Sequence, residues 1–144
     1  MAARDTPPAS SPEVRRRMQS TPQSDTPAER ALRSALHILG LRFRVNTRIR
    51  GVPRRTIDIA FHHARLAVFV DGCFWHGCPK HGTLPKSNRR WWKAKIDTNR
   101  RRDDDTNRQL RAVGWLPVRI WEHQDVVIAA KRIAVLVRSR SAKM

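Results

Sequence analysis

Five consecutive apolar residues, Leu66-Ala67-Val68-Phe69-Val70, run without a spacer into Asp71-Gly72-Cys73-Phe74-Trp75-His76-Gly77-Cys78-Pro79-Lys80-His81. No other stretch constrains the chain as strongly. A strand that is apolar on both faces must be covered on both, so residues 65–70 read as a central strand of a helix-flanked sheet. The eleven residues that follow hold both cysteines, two of the six histidines, a carboxylate and two adjacent aromatics in one turn-rich loop. Chemistry at the end of a rigid strand, with metal ligands just beyond it, is an arrangement that packing alone rarely produces.

The elements around this strand follow from pattern. Thr26-Pro27-Ala28-Glu29 matches a capping box, and Ala28, Ala31, Leu32, Ala35, Leu36 and Leu39 line one helical face that Gly40 ends. Leu41 to Asn46 alternates like a strand, Gly51-Val52-Pro53 reads as a turn, and Thr56 to Phe61 as a second strand. Residues 72–87 read as loop and residues 88–113 as helix, in one piece or two, stopped by Gly114. Trp115 to Glu122 forms a strand whose Pro117 points to an edge or a bulge. Asp125 caps a last helix facing the core through Val126, Ala129, Ala130, Ile133 and Val137. The order α-β-β-β-α-β-α implies an α/β fold, a mixed central sheet flanked by helices. Residues 26–144 are expected to form one domain. Residues 1–25, with four of the nine prolines and the cluster Arg15-Arg16-Arg17, read as a basic, flexible arm.

Charge narrows the partner. Thirty Lys and Arg against twelve Asp and Glu give a net charge of +18, which calls for a polyanion, nucleic acid first. An anionic membrane surface competes, but no basic amphipathic helix with a wide apolar face is present. No apolar run approaches a membrane span, and the N-terminus lacks the apolar core of a signal peptide, so a cytoplasmic, nucleoid-associated protein is expected. In a reducing compartment, two cysteines near histidines favour metal over a disulfide.

Asp58 sits inside an apolar strand, between Ile57 and Ile59. The pleat is expected to send both isoleucines to one face and Asp58 to the other, beside Thr56 and Ala60. Asp71 ends the next strand. Antiparallel pairing would bring both carboxylates to one end of the sheet, where with water and a phosphate oxygen they would form a magnesium site. Glu29 could join them, although the third position of a capping box is also where a structural Glu belongs. Asp103, in Arg100-Arg101-Arg102-Asp103-Asp104-Asp105, has a solvated, salt-bridged helix face as its plain alternative.

Cys73, Cys78 and His81 offer three ligands of types that suit zinc, and His123, just after the last strand, could close the site. His76 between the cysteines is either a further ligand or a base that accepts a proton from attacking water. Five tryptophans occur in a chain without tyrosine. Trp115 and Trp121 read as core. Phe74-Trp75 and Trp91-Trp92 lie among cations, where aromatics stack on bases while Arg89, Lys93 and Lys95 hold phosphates. Burial of one tryptophan in each pair is the alternative; Trp75 and Trp92 are the expected stacking residues.

Together these residues resemble the very short patch repair (Vsr) endonucleases. Gly72-Cys73-Phe74-Trp75-His76 carries most of the likeness, joined by Pro85-x2-Asn88, Trp92 and Lys95, Asn99-x3-Asp103, Gly114-Trp115 and Trp121-Glu122. The resemblance implies a fold related to type II restriction enzymes, of the PD-(D/E)xK type with a structural zinc site. It implies a magnesium-dependent nick 5′ to the thymine of a T:G mismatch left by deaminated 5-methylcytosine. On matching positions Asp58 would be the principal magnesium ligand, Asp71 would take the second metal-side position, and His76 would activate water. Glu29 and Asp103 would support the site. Cys73, Cys78, His81 and His123 would hold zinc, while Phe74, Trp75 and Trp92 would wedge beside the mismatch. A cognate cytosine-5 methyltransferase and a MutL-type repair protein are the implied partners of a monomeric enzyme.

The chain departs from the best-known members: Asp71 stands where they have His, Cys78-Pro79-Lys80-His81 stands where they are histidine-rich, His123 replaces a cysteine, and Asp58 follows Arg54-Arg55-Thr56-Ile57 rather than a Pro-Asp pair. Two other readings compete: a sequence- or modification-dependent nickase of a restriction-modification system, and a zinc-stabilised DNA-binding module without catalysis.

Overall fold

The computed structural model describes residues 26–72 and 87–142. Helix α1 (Pro27–Ile38) leads into strands β1 (Arg44–Ile49), β2 (Val52–Phe61) and β3 (Leu66–Asp71); helix α2 (Arg89–Ala112), strand β4 (Leu116–Trp121) and helix α3 (Val126–Ala142) follow. The strands form one sheet in the order β1-β2-β3-β4. β2 is antiparallel to both β1 and β3, whereas β3 and β4 run parallel. The sheet is therefore mixed, as the element order implied.

Helices cover both faces. Leu32 and Leu36 of α1 and Ala129, Ala130 and Ile133 of α3 pack on Ile59, Phe61, Leu66, Val68 and Ile120. On the opposite face, Leu110 of α2 and Trp115 close over Ile57, Ala60, Ala67 and Phe69. Adjacent residues of β3 thus enter opposite cores, which is why this strand has no polar position before Asp71. Pro117 lies on β4, an edge of the sheet, where a missing N–H is tolerated.

Local chemistry fixes the boundaries. Thr26 Oγ1 accepts the Glu29 N–H at 3.2 Å and starts α1. Gly40, at φ +80°, ends it: its N–H reaches His37 C=O at 2.9 Å, and the Leu41 N–H reaches Leu36 C=O at 3.1 Å. That wrap consumes Leu41, so β1 begins at Arg44 rather than at residue 41. β2 starts at Val52, earlier than expected, because Ile49 already pairs with Val52 across the tight Arg50-Gly51 turn. Asp125 Oδ1 accepts the N–H groups of Val127 and Ile128 at 2.9 and 3.0 Å and starts α3.

Candidate active site

The regular β2–β3 ladder pairs Ile59, Ala60 and Phe61 with Val68, Ala67 and Leu66. One step further, the Val70 N–H donates to a side chain, Asp58 Oδ2, at 2.8 Å. Asp58 therefore occupies the place where the two strands cease to pair. The expected pleat is corrected here: Ile57 belongs to the α2 core and Ile59 to the α1/α3 core. The β1–β2 ladder runs on regularly past Asp58, with Val45 opposite Ile59 and Thr47 opposite Ile57.

Glu29 arrives from the first turn of α1. Its backbone takes the Thr26 cap, while its carboxyl is buried at 1% exposure and hydrogen-bonded to Asp58. Arg33, one turn on, stands 3.6 Å from Glu29 Oε2. Burial pushes the Asp58 carboxyl up to about 8; the Val70 N–H opposes this, and Glu29 and then Asp71 add to it. Asp58 therefore keeps its proton at neutral pH, and a cation bound beside it would displace that proton.

Asp71 has a different environment. Its carboxylate, 6% exposed as a residue, takes Arg119 Nη1 at 3.0 Å on Oδ1 and 3.3 Å on Oδ2. The same Nη1 lies 3.3 Å from Asp103 Oδ1. Arg119 also donates through Nη2 to the Asp103 C=O at 3.3 Å and through Nε to Asn107 Oδ1 at 3.0 Å. Its guanidinium carbon sits 4.2 Å above the centre of the Phe69 ring. Asp103 is thus tied to the sheet end and does not stand on a purely solvated helix face.

Among the described residues no three His, Cys, Asp or Glu side chains form a ready-made metal cage. Magnesium does not require one, since it takes one or two carboxylates and completes its shell with water and phosphate oxygens. The half-buried Asp58 carboxyl, beside the buried Glu29 whose Oε2 lies 3.6 Å from Arg33, offers oxygen ligands of that kind. Asp71, already paired with Arg119, suits magnesium less well.

The remaining expected residues divide sharply. Cys73, Phe74, Trp75, His76, Cys78 and His81 lie outside the described residues. His123 is exposed on the turn after β4; the Glu122 N–H before it donates to the Asp71 C=O at 3.0 Å. Trp92, expected to stack on bases, is instead buried at 1% exposure, with its ring edge-on to Trp91 at 4.8 Å. Trp92, Ile96 and Leu110 supply much of the buried apolar area of an otherwise polar α2, so Trp92 is held in the core. Arg89 and Lys93 are exposed on α2 and Lys95 is half-buried. Arg119 was not anticipated, although a charge inside the apolar run Val118-Arg119-Ile120-Trp121 is the same signal that singled out Asp58.

Residues 10–81 match the family described as DNA mismatch endonuclease Vsr. Type II nicking enzyme V.NaeI of Lentzea aerocolonigenes is 44% identical over 114 residues, covering 77% of this chain and 68% of that protein. Type II nicking enzyme V.XorIIP of Xanthomonas oryzae is 44% identical over 116 residues, covering 78% and 82%. DNA mismatch endonuclease Vsr of Escherichia coli is 33% identical over 108 residues, covering 73% and 66%. With a family match across half its length and relatives of this kind over most of it, the chain belongs to the Vsr family and is a DNA endonuclease.

Proposed function

We propose that this endonuclease nicks one strand of duplex DNA 5′ to the thymine of a T:G mismatch, by magnesium-dependent hydrolysis, on a restriction-endonuclease-like fold. The observation that carries the reading is Asp58, a carboxyl lodged between parted strands beside Glu29 and held up to about 8. Burial is the main cause of that shift, with Glu29 and Asp71 adding to it, and a bound cation would bring it down. Asp58 would supply the principal oxygen ligand, with Glu29 beside it. Magnesium bound there would polarise the scissile phosphate and lower the pKa of water. His76 would accept the proton of the attacking water, and Asp103 would support the site. Exposed Arg89 and Lys93, with Lys95, would hold phosphates, and Phe74-Trp75 would enter the base stack beside the mismatch.

Cys73, Cys78, His81 and His123 would bind structural zinc. The hydrogen bond from Glu122 to Asp71 supports this, because it pins the turn carrying His123 to the end of the strand that precedes Cys73 in sequence. A DNA-binding module without catalysis would have no use for paired carboxyls, Glu29 buried and Asp58 half-buried, at the end of a strand ladder.

A second reading, a nickase attached to a restriction-modification system, is favoured by higher identity to the nicking enzymes, 44% against 33% for the E. coli mismatch endonuclease. One assay separates the two. Wild-type protein and Asp58→Ala are incubated with T:G, methylated and unmodified duplexes, with and without magnesium. Nicking confined to T:G, requiring magnesium and lost in Asp58→Ala, is the expected result. Cutting of perfectly paired DNA favours the second reading, and a fully active Asp58→Ala protein defeats both.

A further inference from the structure

We propose that Arg119 is a positioning residue of the nicking site, one that holds Asp71 and Asp103 together and keeps Asp71 out of the metal's ligand set. The inference rests on the endonuclease reading above and assigns the division of labour within that site. One guanidinium nitrogen spans both oxygens of Asp71, at 3.0 and 3.3 Å, and reaches Asp103 Oδ1 at 3.3 Å. The other two nitrogens are fixed by the Asp103 C=O and by Asn107 Oδ1, and the guanidinium face rests on Phe69. Each of the three nitrogens has an acceptor, so the fork cannot turn away without losing several contacts at once.

The consequence is an asymmetry of charge. Asp71 sits beside a fixed cation, which discourages a divalent ion from approaching its carboxylate. Among the described residues Asp58 has no ion pair of its own and faces Glu29, whose Oε2 meets Arg33 at 3.6 Å. Arg119 also joins three elements at one point: β3 through Asp71, α2 through Asp103 and Asn107, and β4, its own strand. A side chain that sets the relative position of two site carboxylates acts on the reaction without touching the phosphate.

The test uses full-length Arg119→Met, Arg119→Lys, Asp71→Asn and Asp58→Asn. Manganese(II) binding to each protein on an uncleaved duplex is read by electron paramagnetic resonance, and single-turnover nicking is followed at saturating magnesium. Arg119→Met is expected to slow nicking about 10- to 100-fold with duplex affinity unchanged. Arg119→Lys should recover only part of this, because an ammonium cannot span Asp71, Asp103 and Asn107 together. Manganese affinity should fall in Asp58→Asn and hold in Asp71→Asn.

A loss of manganese affinity in Asp71→Asn equal to that in Asp58→Asn would overturn the proposal. So would full recovery of the rate by Arg119→Lys, or wild-type nicking by Arg119→Met. The metal titration of Asp71→Asn keeps the proposal exposed should Arg119→Met fail to fold. Nicking by the wild-type protein on no duplex would remove the endonuclease reading of this site first, an outcome distinct from normal wild-type cutting with an indifferent Arg119.

Discussion

The two faces of the sheet are held by different physics. Between the sheet and α1 and α3 the contacts are aliphatic, from Leu32 and Leu36 to Ile133. Between the sheet and α2 the apolar patch is smaller, and much of the contact is ionic or hydrogen-bonded. Arg55 donates to Thr106 Oγ1 at 2.8 Å and to Asp105 Oδ2 at 3.1 Å, and Arg119 grips Asp71, Asp103 and Asn107. The site lies where the faces meet, with the Asp58–Glu29 pair beside α1 and the Arg119 bridge beneath α2. The difference teaches that one face supplies stability and the other supplies a geometry.

Four experiments press on this contrast. The largest effect belongs to Asp58, where Asp58→Asn should lower single-turnover nicking at least about 10³-fold, since the metal's charge stabilisation is worth several kcal/mol. Its fold should survive, checked by circular dichroism; a variant that cuts normally refutes the assignment. Next comes the aliphatic face: Leu36→Ala, fully buried against α3 and the sheet, should cost about 2–5 kcal/mol in urea unfolding.

The third experiment is a pH series on metal-free protein. The folded Asp58 carboxyl is raised from 3.8 to about 8, so the unfolded chain releases its proton first. The stability contributed by this group is full below the unfolded value and is lost as pH rises through the folded one. Urea midpoints taken in chelator from pH 5 to 8.5 should therefore fall more steeply for wild type than for Asp58→Asn. Parallel curves would show that Asp58 titrates normally. The smallest effect is expected at Arg55→Met. Asp105 is 41% exposed on its side chain, so losing this pair should cost no more than about 1 kcal/mol and leave nicking intact.

Much of this arrangement was legible in the sequence, and the omissions have causes. The apolar run of β3 announced a strand covered on both sides, and the caps at Thr26 and Asp125 announced helix starts, because each is a local demand. Asp58 stood out as a charge in an apolar strand. That its side chain would accept the Val70 N–H depends on β3 and could not be read from β2 alone. Trp92 looked available for stacking among cations, yet a helix as polar as α2 needs it for its own attachment. Arg119 lies 48 residues from Asp71 and 16 from Asp103, so only the folded chain brings the three together.

The parallel pairing of β3 with β4 also governs when the site comes into being. Asp71 is in register with Trp121, and between them in sequence lie both cysteines and all of α2. Contacts of such sequence separation are slow to form, because a long loop must close before any contact rewards it. During synthesis, Asp58 and Asp71 leave the ribosome well before Arg119 does. The bridge from Arg119 to Asp71 and Asp103 therefore forms only once β4 is in place.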